Sequence, residues 1–367
     1  MLRMAVRKSV LLLAIVLLQM AVSSCGNGSG ASRTQGTAGN GQVSPAAFLY
    51  AASTAINVFS VNTDKSFGLI TGSAINIPSG TPTLSVAVVN NAFLYVLDFV
   101  GSISAYSINR PSGTLTQLAG TFPTFPAGAV FAIDPLNRFM FVVTNTSVIT
   151  VGINATSGAL SQNSVSIPLP IPFTATMTAG VDPQGRFLFV SSGTAGMISF
   201  AIASGTGALT LSPSAPFPTP ITKFVIDPQT KFLYGVDGVS NNIYGLQIAL
   251  NGTLTNLTGF PIQTTGIDLS VAMHPGGGFL YIGQNNDIGG FVRNPTTGAL
   301  TGIVQNASFT NTLSADQLVF DPHGQFLFAS GRLISVLAVN QTTGTVTLNT
   351  NQVNGTPFFG SLLAAAD

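Results

Sequence analysis

The chain contains no glutamate and no tryptophan, and only 6% of its 367 residues are charged. Its 11 acidic residues are therefore all aspartate. Glutamate and lysine favour helices, whereas the abundant Val, Ile, Thr, Phe and Tyr residues fit strands. Forty glycines and 21 prolines supply turns. This composition predicts an all-β protein.

Several functional classes are disfavoured by what is scarce. The net charge is +1, and no basic stripe alternates with aromatic residues, so the sequence gives no reason to expect a nucleic-acid partner. Neither His274 nor His323 has a serine partner in a recognisable motif, which argues against a nucleophilic triad. We expect that no cofactor is required.

The N-terminus has the features of a targeting segment. Arg3, Arg7 and Lys8 precede an apolar run over residues 9–19 that is too short to span a bilayer comfortably. Val22-Ser23-Ser24-Cys25 then resembles the bacterial lipoprotein box, in which the cysteine carries acyl chains. Cys25 is the only cysteine, so it has no disulfide partner in the chain. The alternative is an ordinary secretory signal that contains a cysteine.

These features predict three regions and a location. Residues 1–24 form a lipoprotein signal peptide, residues 25–45 a flexible tether rich in Gly, Ser and Thr, and residues 46–367 a single folded domain. Lipidation of Cys25 would hold the protein on a membrane of the bacterial cell envelope. By resemblance to lipoprotein sorting rules, Gly26 after the cysteine indicates the outer membrane.

The folded region repeats one apolar triplet seven times, with spacings of 45, 46, 48, 45, 47 and 47 residues. A period of this size is typical of a supersecondary unit repeated around an axis, as in β-propellers. The copies are Phe48-Leu49-Tyr50, Phe93-Leu94-Tyr95, Phe139-Met140-Phe141, Phe187-Leu188-Phe189, Phe232-Leu233-Tyr234, Phe279-Leu280-Tyr281 and Phe326-Leu327-Phe328.

The second repeat predicts four strands, a to d. They are Thr83–Val89, Phe93–Asp98, Ser102–Ile108 and Leu115–Gly120. Strand b is apolar on both faces, which is typical of a strand buried between neighbours. Asp-Pro turns such as Asp182-Pro183 recur between strands a and b, and Gly-containing turns such as Ser157-Gly158 recur between c and d. We interpret both as structural.

The two ends of the domain predict ring closure. Phe48 has no strand a before it, whereas residues 361–367 resemble a strand a without a blade. The predicted fold is therefore all-β: a seven-bladed propeller of four-stranded antiparallel blades, closed by the C-terminal strand completing blade one.

The repeats resemble the seven-bladed lactonase-type propellers, which include 6-phosphogluconolactonase, muconate-lactonising relatives and YVTN-repeat surface proteins. Residues 95–103, Tyr-Val-Leu-Asp-Phe-Val-Gly-Ser-Ile, and the turn over residues 182–190 carry the resemblance. In enzymes of that family it implies a His, Glu and Arg constellation around the central funnel. Here there is no Glu, both histidines fall in a–b turns, and Ala315-Asp316-Gln317-Leu318 occupies the blade-seven position where a His would be expected.

Non-repeating charges point to a candidate site. Charges at the end formed by the a–b and c–d turns balance, six against six, and most occupy repeated positions. The other end, formed by the b–c and d–a loops, has a formal balance of −3 without repetition, as expected for a site on a symmetric scaffold. Its residues are Asp98, Asp237, Asp268, Asp287, Asp316, Lys223 and Arg332.

Two functional hypotheses remain open. The first is a non-catalytic envelope lipoprotein, expected to be a monomer, that binds a small molecule or a protein at this end. The second is a lactone hydrolase that uses Asp and Arg in place of the usual groups. The oxygen ligands at this end would also suit Ca²⁺, although Asp and Asn are common in loops for conformational reasons.

Overall fold

Seven antiparallel sheets surround a central channel in the computed structural model of the protein. The structure describes residues 45–62, 66–173, 177–213, 215–285, 287–303, 315–331, 334–348 and 362–366. The predicted signal peptide, Cys25 and the tether up to residue 44 lie outside the described residues. Among the described residues, no helix is long and apolar enough to cross a membrane.

The blades are numbered by the order of their triplets. The strands of blades 1 to 4 are β1 (Pro45–Ala52), β2 (Ala55–Asn62), β3 (Phe67–Leu69), β4 (Ile75–Asn76), β5 (Thr83–Val89), β6 (Phe93–Asp98), β7 (Ile103–Ile108), β8 (Leu115–Gln117), β9 (Val130–Ile133), β10 (Phe139–Val143), β11 (Ser147–Ile153), β12 (Leu160–Pro168), β13 (Thr178–Val181), β14 (Phe187–Ser191), β15 (Met197–Ile202) and β16 (Leu209–Leu211). A 3₁₀ turn, Gly193–Ala195, connects β14 to β15.

The remaining strands belong to blades 5 to 7 and to the closure of blade 1. They are β17 (Lys223–Ile226), β18 (Phe232–Val236), β19 (Asn242–Ile248), β20 (Leu254–Asn256), β21 (Ile262–Gln263), β22 (Asp268–Met273), β23 (Phe279–Gln284), β24 (Ile288–Arg293), β25 (Leu300–Ile303), β26 (Gln317–Phe320), β27 (Phe326–Ser330), β28 (Ile334–Val339), β29 (Val346–Leu348) and β30 (Leu362–Ala366).

The ring closes as the sequence predicts. Strand β30 pairs antiparallel with β1, with Tyr50 opposite Ala364, and so supplies the innermost strand of blade 1. Each inner strand then contacts the next, from β30 through β5, β9, β13, β17, β22 and β26 back to β30. This closure leaves no open sheet edge at the seam between the chain termini.

Strand b of each blade is buried on both faces because the blades stack. In β6, Tyr95 packs with blade 3, whereas Leu94 and Val96 pack with blade 1. The prediction of double burial is confirmed, since all six residues of β6 are buried. The outer strand is shorter than predicted: it ends at Gln117, although the N–H of Leu118 still donates to the Ala105 oxygen of β7 over 2.8 Å.

The Phe and Tyr of one triplet hold the next blade. The Tyr95 hydroxyl donates a hydrogen bond of 2.7 Å to the buried carbonyl oxygen of Gly158 in blade 3. Gly158 has a φ of +70°, and a Cβ built on it would lie 2.6 Å from the Phe93 ring. The triplet and the glycine turn therefore form one contact between blades, which explains why both recur at the same period.

The disc has two different faces. We call the end that carries the a–b and c–d turns the turn face, and the end that carries the b–c and d–a loops the mouth face. Each inner strand runs from the mouth face to the turn face, and each second strand runs back. Strand β1 begins at Pro45 on the turn face, and β30 ends there at Ala366.

Candidate functional site

One position near the start of each inner strand is equivalent in all seven blades. In each blade, the third residue of the triplet pairs with a residue of the inner strand. The equivalent position lies two residues before that inner-strand partner. Its occupants differ from blade to blade: Leu362, Ser85, Val130, Thr178, Lys223, Ser270 and Gln317. A ring of backbone positions that is structurally regular but chemically varied is where a site can be built on this fold.

The channel contains a cavity of about 110 Å³ bounded by the inner strands of blades 3 to 7. Most of its lining is apolar. The polar lining side chains are Thr178, Lys223, Ser270, His274 and Gln317. Lys223 is therefore the one charged side chain, with histidine taken as neutral, that lines the cavity within the part of the chain that the structure describes.

Lys223 reaches across blade 6. Its Nζ atom donates a hydrogen bond of 2.7 Å to the backbone oxygen of Asp316, at the entrance to blade 7. Burial lowers the pKa of Lys223 to about 8, and the nearby Asp316 carboxylate only partly opposes this effect. The side chain stays partly exposed, and it lines the cavity. The amine is therefore held in place and can still meet a molecule in the channel.

Asp268 begins the inner strand of blade 6, and its side chain is buried. Gln284 Nε2 donates to Oδ1 over 2.7 Å, and the Thr264 hydroxyl lies 2.8 Å from both carboxylate oxygens. Burial raises the pKa of Asp268, these two donors lower it, and the negative charge of Asp237 raises it further, so the net direction is upward.

Asp237 follows strand b of blade 5, where its carboxylate closes the b–c loop. The backbone N–H groups of Val239 and Ser240 donate to Oδ1 over 3.1 and 2.9 Å. The Ser240 and Tyr244 hydroxyl groups donate to Oδ2. Burial raises the pKa of Asp237, but the hydrogen bonds outweigh burial and leave the pKa below its ordinary value.

Backbone contacts join these side chains into one group. A Cβ built on Gly238 would lie 3.3 Å from the Asp268 backbone oxygen, so the blade-5 loop abuts the start of blade 6. Ala315 connects blades 6 and 7, because its oxygen accepts from the Ser270 hydroxyl over 2.6 Å and its N–H donates to Gln284. We call Lys223, Asp237, Asp268, Gln284, Asp316 and Gln317 the mouth cluster.

Four of the seven residues predicted from charge belong to this cluster: Lys223, Asp237, Asp268 and Asp316. The other three do not join them. Asp98 lies in blade 2, where Oδ1 accepts from the Ser102 N–H over 2.8 Å. Asp287 is exposed and accepts from the N–H of Ile288. Arg332 lies outside the described residues.

No group of three or more His, Cys, Asp or Glu side chains within the described ranges is arranged to hold a metal ion. The two cluster carboxylates whose hydrogen bonds are resolved, Asp237 and Asp268, already accept several hydrogen bonds each. Their oxygens act as acceptors for neighbouring protein groups, which is a structural use of the side chain.

Three described aspartates of the turn face are held by arginines, in agreement with the structural interpretation of their repeated positions. Asp134 pairs with Arg138 over 2.7 Å, and Asp182 pairs with Arg186 over 3.1 Å. The blade-5 carboxylate instead pairs with an arginine of blade 6: the buried Asp227–Arg293 pair spans 2.9 Å. The first two pairs hold their own turns in place, and the Asp227–Arg293 pair connects blade 5 to blade 6.

His274 replaces the turn aspartate in blade 6 and is held on both ring nitrogens. Nδ1 accepts from the N–H of Gly276 over 2.9 Å, which places the proton on Nε2. Nε2 then donates toward Gln341 Oε1 at 3.0 Å and the Gly324 oxygen at 3.2 Å. Although His274 lines the cavity, both of its ring nitrogens make hydrogen bonds that hold the turn.

Selecting candidate residues by charge could not find three neutral members of the site region: Gln284, Thr264 and Gln317. The position four residues before the turn Asp or His in blades 3 to 7 could have revealed Gln317. There the chain reads Val130, Thr178, Lys223, Ser270 and Gln317. No corresponding pattern marks Gln284, which lies opposite Asp268 in the pairing of two strands, or Thr264, whose loop folds back onto Asp268.

Comparisons with known proteins agree with this architecture. The family model described as Lactonase, 7-bladed beta-propeller, matches residues 47–358. No curated protein matches the chain at a significant level. A 6-phosphogluconolactonase candidate from Bacteroides uniformis superposes with a TM-score of 0.70 and 18% identity, over 87% of this chain and 99% of its own.

Two further solved structures are similar to the same extent. The periplasmic gluconolactonase PpgL of Pseudomonas aeruginosa has a TM-score of 0.67 and 16% identity, covering 88% of this chain and 99% of its own. A functionally unknown protein from Desulfotomaculum acetoxidans has a TM-score of 0.67 and 17% identity, covering 87% and 99%. At such identities the likeness shows the shared fold.

Proposed function

The chain belongs to the lactonase family of seven-bladed β-propellers, and on that basis we propose that it binds a small, oxygen-rich ligand at the mouth cluster. The observation that supports this most is the position of Lys223. It is the charged side chain that lines the described cavity, and it occupies a backbone position whose residue differs in every neighbouring blade.

The composition of the cluster suits such a ligand. Ligand pockets combine a mainly apolar wall with a few fixed polar groups, and the channel has that arrangement around Lys223, Ser270 and Gln317. Hydroxyl and carbonyl oxygens can take hydrogen bonds from the Lys223 ammonium. Around it, Asp237 and Asp268 are held by their own partners, which keeps the cluster rigid.

A thermal-shift titration tests this proposal. The ligand panel contains neutral cyclic polyols and sugar lactones, and Lys223→Met is the matched variant. A ligand present at about 100 times its Kd stabilises the folded state by about 2.7 kcal/mol. We expect one of these compounds to raise the melting temperature of the wild type and to have little effect on Lys223→Met. Equal shifts in both proteins would place the binding elsewhere.

Lactone hydrolysis is the second candidate, and family membership favours it. In that reaction water adds to the lactone carbonyl and the ring C–O bond breaks, giving a hydroxy acid. Stabilisation of the developing negative charge on the carbonyl oxygen is usually the largest catalytic contribution. Lys223 is the charged side chain that lines the described channel and is therefore the candidate for this role.

Proton release at constant pH measures this activity directly, with D-glucono-1,5-lactone as substrate. A hydrolase should exceed the uncatalysed rate, and Lys223→Met should reduce the excess at least tenfold. A wild-type rate equal to the uncatalysed rate would favour binding without catalysis, and an excess retained in Lys223→Met would exclude Lys223 from the reaction.

We also propose that Cys25 anchors the propeller to the bacterial envelope, most consistently with the outer membrane. The lipoprotein-like segment Val22-Ser23-Ser24-Cys25 and the tether after it support this assignment. In cells labelled with radioactive palmitate, the full-length chain should carry label and sediment with membranes. Cys25→Ser should lose both properties. An unlabelled, soluble wild-type protein would contradict the anchor.

A further inference from the structure

The outermost charges of the turn face are positive, although its formal charges balance. The described acidic residues of this face are aspartates of the a–b turns, and all of them are buried: Asp134, Asp182, Asp227 and Asp321. Arg293 is buried against Asp227. The other described Lys and Arg residues of this face reach the surface, and we call them the basic arc: Arg110, Arg138, Arg186 and Lys231.

The basic arc extends over four consecutive blades. Arg110 lies in the c–d turn of blade 2, and each of the other three members stands four residues after the turn aspartate of blade 3, 4 or 5. At the corresponding position, blades 6 and 7 carry the neutral residues Gly278 and Gln325. The exposed positive charge in the described part of the turn face is therefore confined to one side of it.

Two large apolar side chains are exposed on the same blades. Leu136 in the a–b turn of blade 3 is 56% exposed, and Leu250 in the c–d turn of blade 5 is 92% exposed. Val239 on the mouth face is 83% exposed, so apolar exposure alone does not distinguish the two faces. The turn face combines exposed leucines with exposed bases. Binding to an anionic bilayer depends on both buried apolar area and electrostatic attraction, so this combination suits such a surface.

The mouth face has the opposite charge. Its described ionisable side chains are the single base Lys223 and five aspartates: Asp98, Asp237, Asp268, Asp287 and Asp316. The described charges are therefore separated along the propeller axis, with the positive side at the turn face. Within a Debye length of about 8–10 Å, an anionic surface attracts the turn face and repels the mouth face.

The chain that leads to the proposed anchor also leaves from the turn face. Strand β1 begins there at Pro45, in the blade next to Arg110. A short flexible connection keeps this face at a high local concentration near the lipid, so a weak attraction is sufficient. We propose that the basic arc, Leu136 and Leu250 form a docking surface for a membrane that carries anionic lipid headgroups. This inference rests on the proposed anchor, since it concerns which side of the anchored disc contacts the lipid.

Energy transfer from a dye on the protein to labelled headgroups tests this inference in vesicles that hold the full-length protein. Cys25 is the only native cysteine, so after its acylation a thiol-reactive dye can react only with an introduced cysteine. Leu250→Cys places the dye on the turn face of blade 5, and Val239→Cys places it on the mouth face of the same blade. Vesicles of phosphatidylcholine alone are compared with vesicles that also contain phosphatidylglycerol.

We expect phosphatidylglycerol to raise the transfer in Leu250→Cys and not in Val239→Cys. Salt at about 1 M should abolish the rise, because it shortens the Debye length to about 3 Å. Arg110→Gln combined with Lys231→Gln should lower the ratio of docked to undocked discs at least about tenfold, since each base near an anionic surface contributes about fivefold. Asp287→Asn, which changes the charge of the mouth face, is the control and should leave the transfer in Leu250→Cys unchanged.

Three results would overturn the docking surface. Equal transfer from the two dyes in anionic vesicles would mean that neither face is preferred. Stronger transfer in Val239→Cys would assign the contact to the mouth face. Stronger transfer in Leu250→Cys that depends neither on phosphatidylglycerol nor on the two bases would mean that the tether alone orients the disc.

Failure of the anchor gives a different result, because a free Cys25 would let the wild-type protein take up the dye. Sedimentation of Cys25→Ser with the same two kinds of vesicle then tests the docking surface by itself. A preference for phosphatidylglycerol that is lost after Arg110→Gln and Lys231→Gln would support the docking surface. A preference that is absent, or that survives both substitutions, would overturn it.

Discussion

In blade 3, Phe141 lies directly across the sheet from Thr150, and the Thr150 hydroxyl makes the hydrogen bond to the next blade that a tyrosine makes elsewhere. It donates to the buried Gly207 oxygen over 3.0 Å. Blade 4 repeats the exchange, with Phe189 opposite Ser199 and a 2.9 Å bond to Gly252. The blades with tyrosine have Val, Ala or Gly at the opposite position. The same hydrogen bond to the next blade is therefore made in both arrangements, by a tyrosine of strand b in some blades and by a Thr or Ser of the paired strand in blades 3 and 4.

Thr150→Val should therefore destabilise the protein, and a second change should repair it. The substitution keeps the side-chain shape but leaves the Gly207 oxygen unpaired, which costs about 1–3 kcal/mol. Phe141→Tyr in addition recreates the Tyr50–Val58 arrangement of blade 1 and should recover most of the loss. Urea denaturation measures both. The partly exposed Ser107→Ala serves as control, and an additive double variant would show that the introduced tyrosine hydroxyl does not reach the Gly207 oxygen.

Gly158→Ala should cost more stability than Gly72→Ala, although both glycines have nearly the same positive φ. The values are +70° and +74°, but a Cβ on Gly158 would meet Phe93 at 2.6 Å and one on Gly72 would meet nothing within 4 Å. Left-handed backbone strain costs about 1–2 kcal/mol in both variants. Overpacking adds about 1–3 kcal/mol at Gly158. Equal losses of unfolding free energy would show that Phe93 moves aside freely.

Removal of residues 356–367 should prevent stable folding. Strand β30 is the inner strand of blade 1, and its Leu362 and Leu363 side chains are buried against opposite neighbours. Without it, β1 becomes an open edge and the ring has a gap. We expect the truncated chain to lose its cooperative thermal transition. Cooperative melting near the full-length temperature would contradict the closing role of this strand.

Lys223 should make stability increase with pH in a defined window. Burial lowers its pKa from 10.5 to about 8, so between these values the folded protein has released a proton that the unfolded chain still holds. Unfolding then takes up a proton, and the free energy of unfolding rises with pH. The full cost of the charge is present below pH 8. Since Lys223 is partly exposed, we expect an effect of about 1–2 kcal/mol.

Lys223→Met should consequently be more stable than the wild type at pH 7 and should lose this rise. Urea denaturation between about pH 7 and 9 measures it, below the range in which unfolded tyrosine ionises appreciably. Lys231→Met, at an exposed turn position, is the control and should keep the wild-type slope. A wild-type slope retained in Lys223→Met would mean that the ammonium is well solvated in the folded state.

Repetition made most of the fold predictable. A single blade is too short to bury its own faces, so the same apolar triplet and the same turns recur wherever the contact between blades recurs. Ring closure followed from an unpaired strand at each end of the domain, and the β1–β30 pairing confirms it. Strand ends were less predictable: β8 was expected to continue to Gly120 but ends at Gln117.

The candidate site was predictable only in part, because it depends on what does not repeat. Sorting charges by loop placed Lys223, Asp268 and Asp316 at one end, but it could not distinguish them from Asp98, which caps its own loop. Contacts such as Gln284 to Asp268 cross from one strand to another, and no local pattern encodes them. Gln317 is neutral, so it became visible only through its place at the cavity wall.

The start of β1 has a consequence for the anchored protein that we propose. Pro45 lies on the turn face, so a chain leading back to Cys25 departs from the side of the disc opposite the mouth face. A flexible stretch of about 20 residues spans roughly 25 Å on average. The disc would thus stand a short distance above the lipid with its mouth face directed outward, so that dissolved molecules could approach the mouth cluster without passing between protein and membrane.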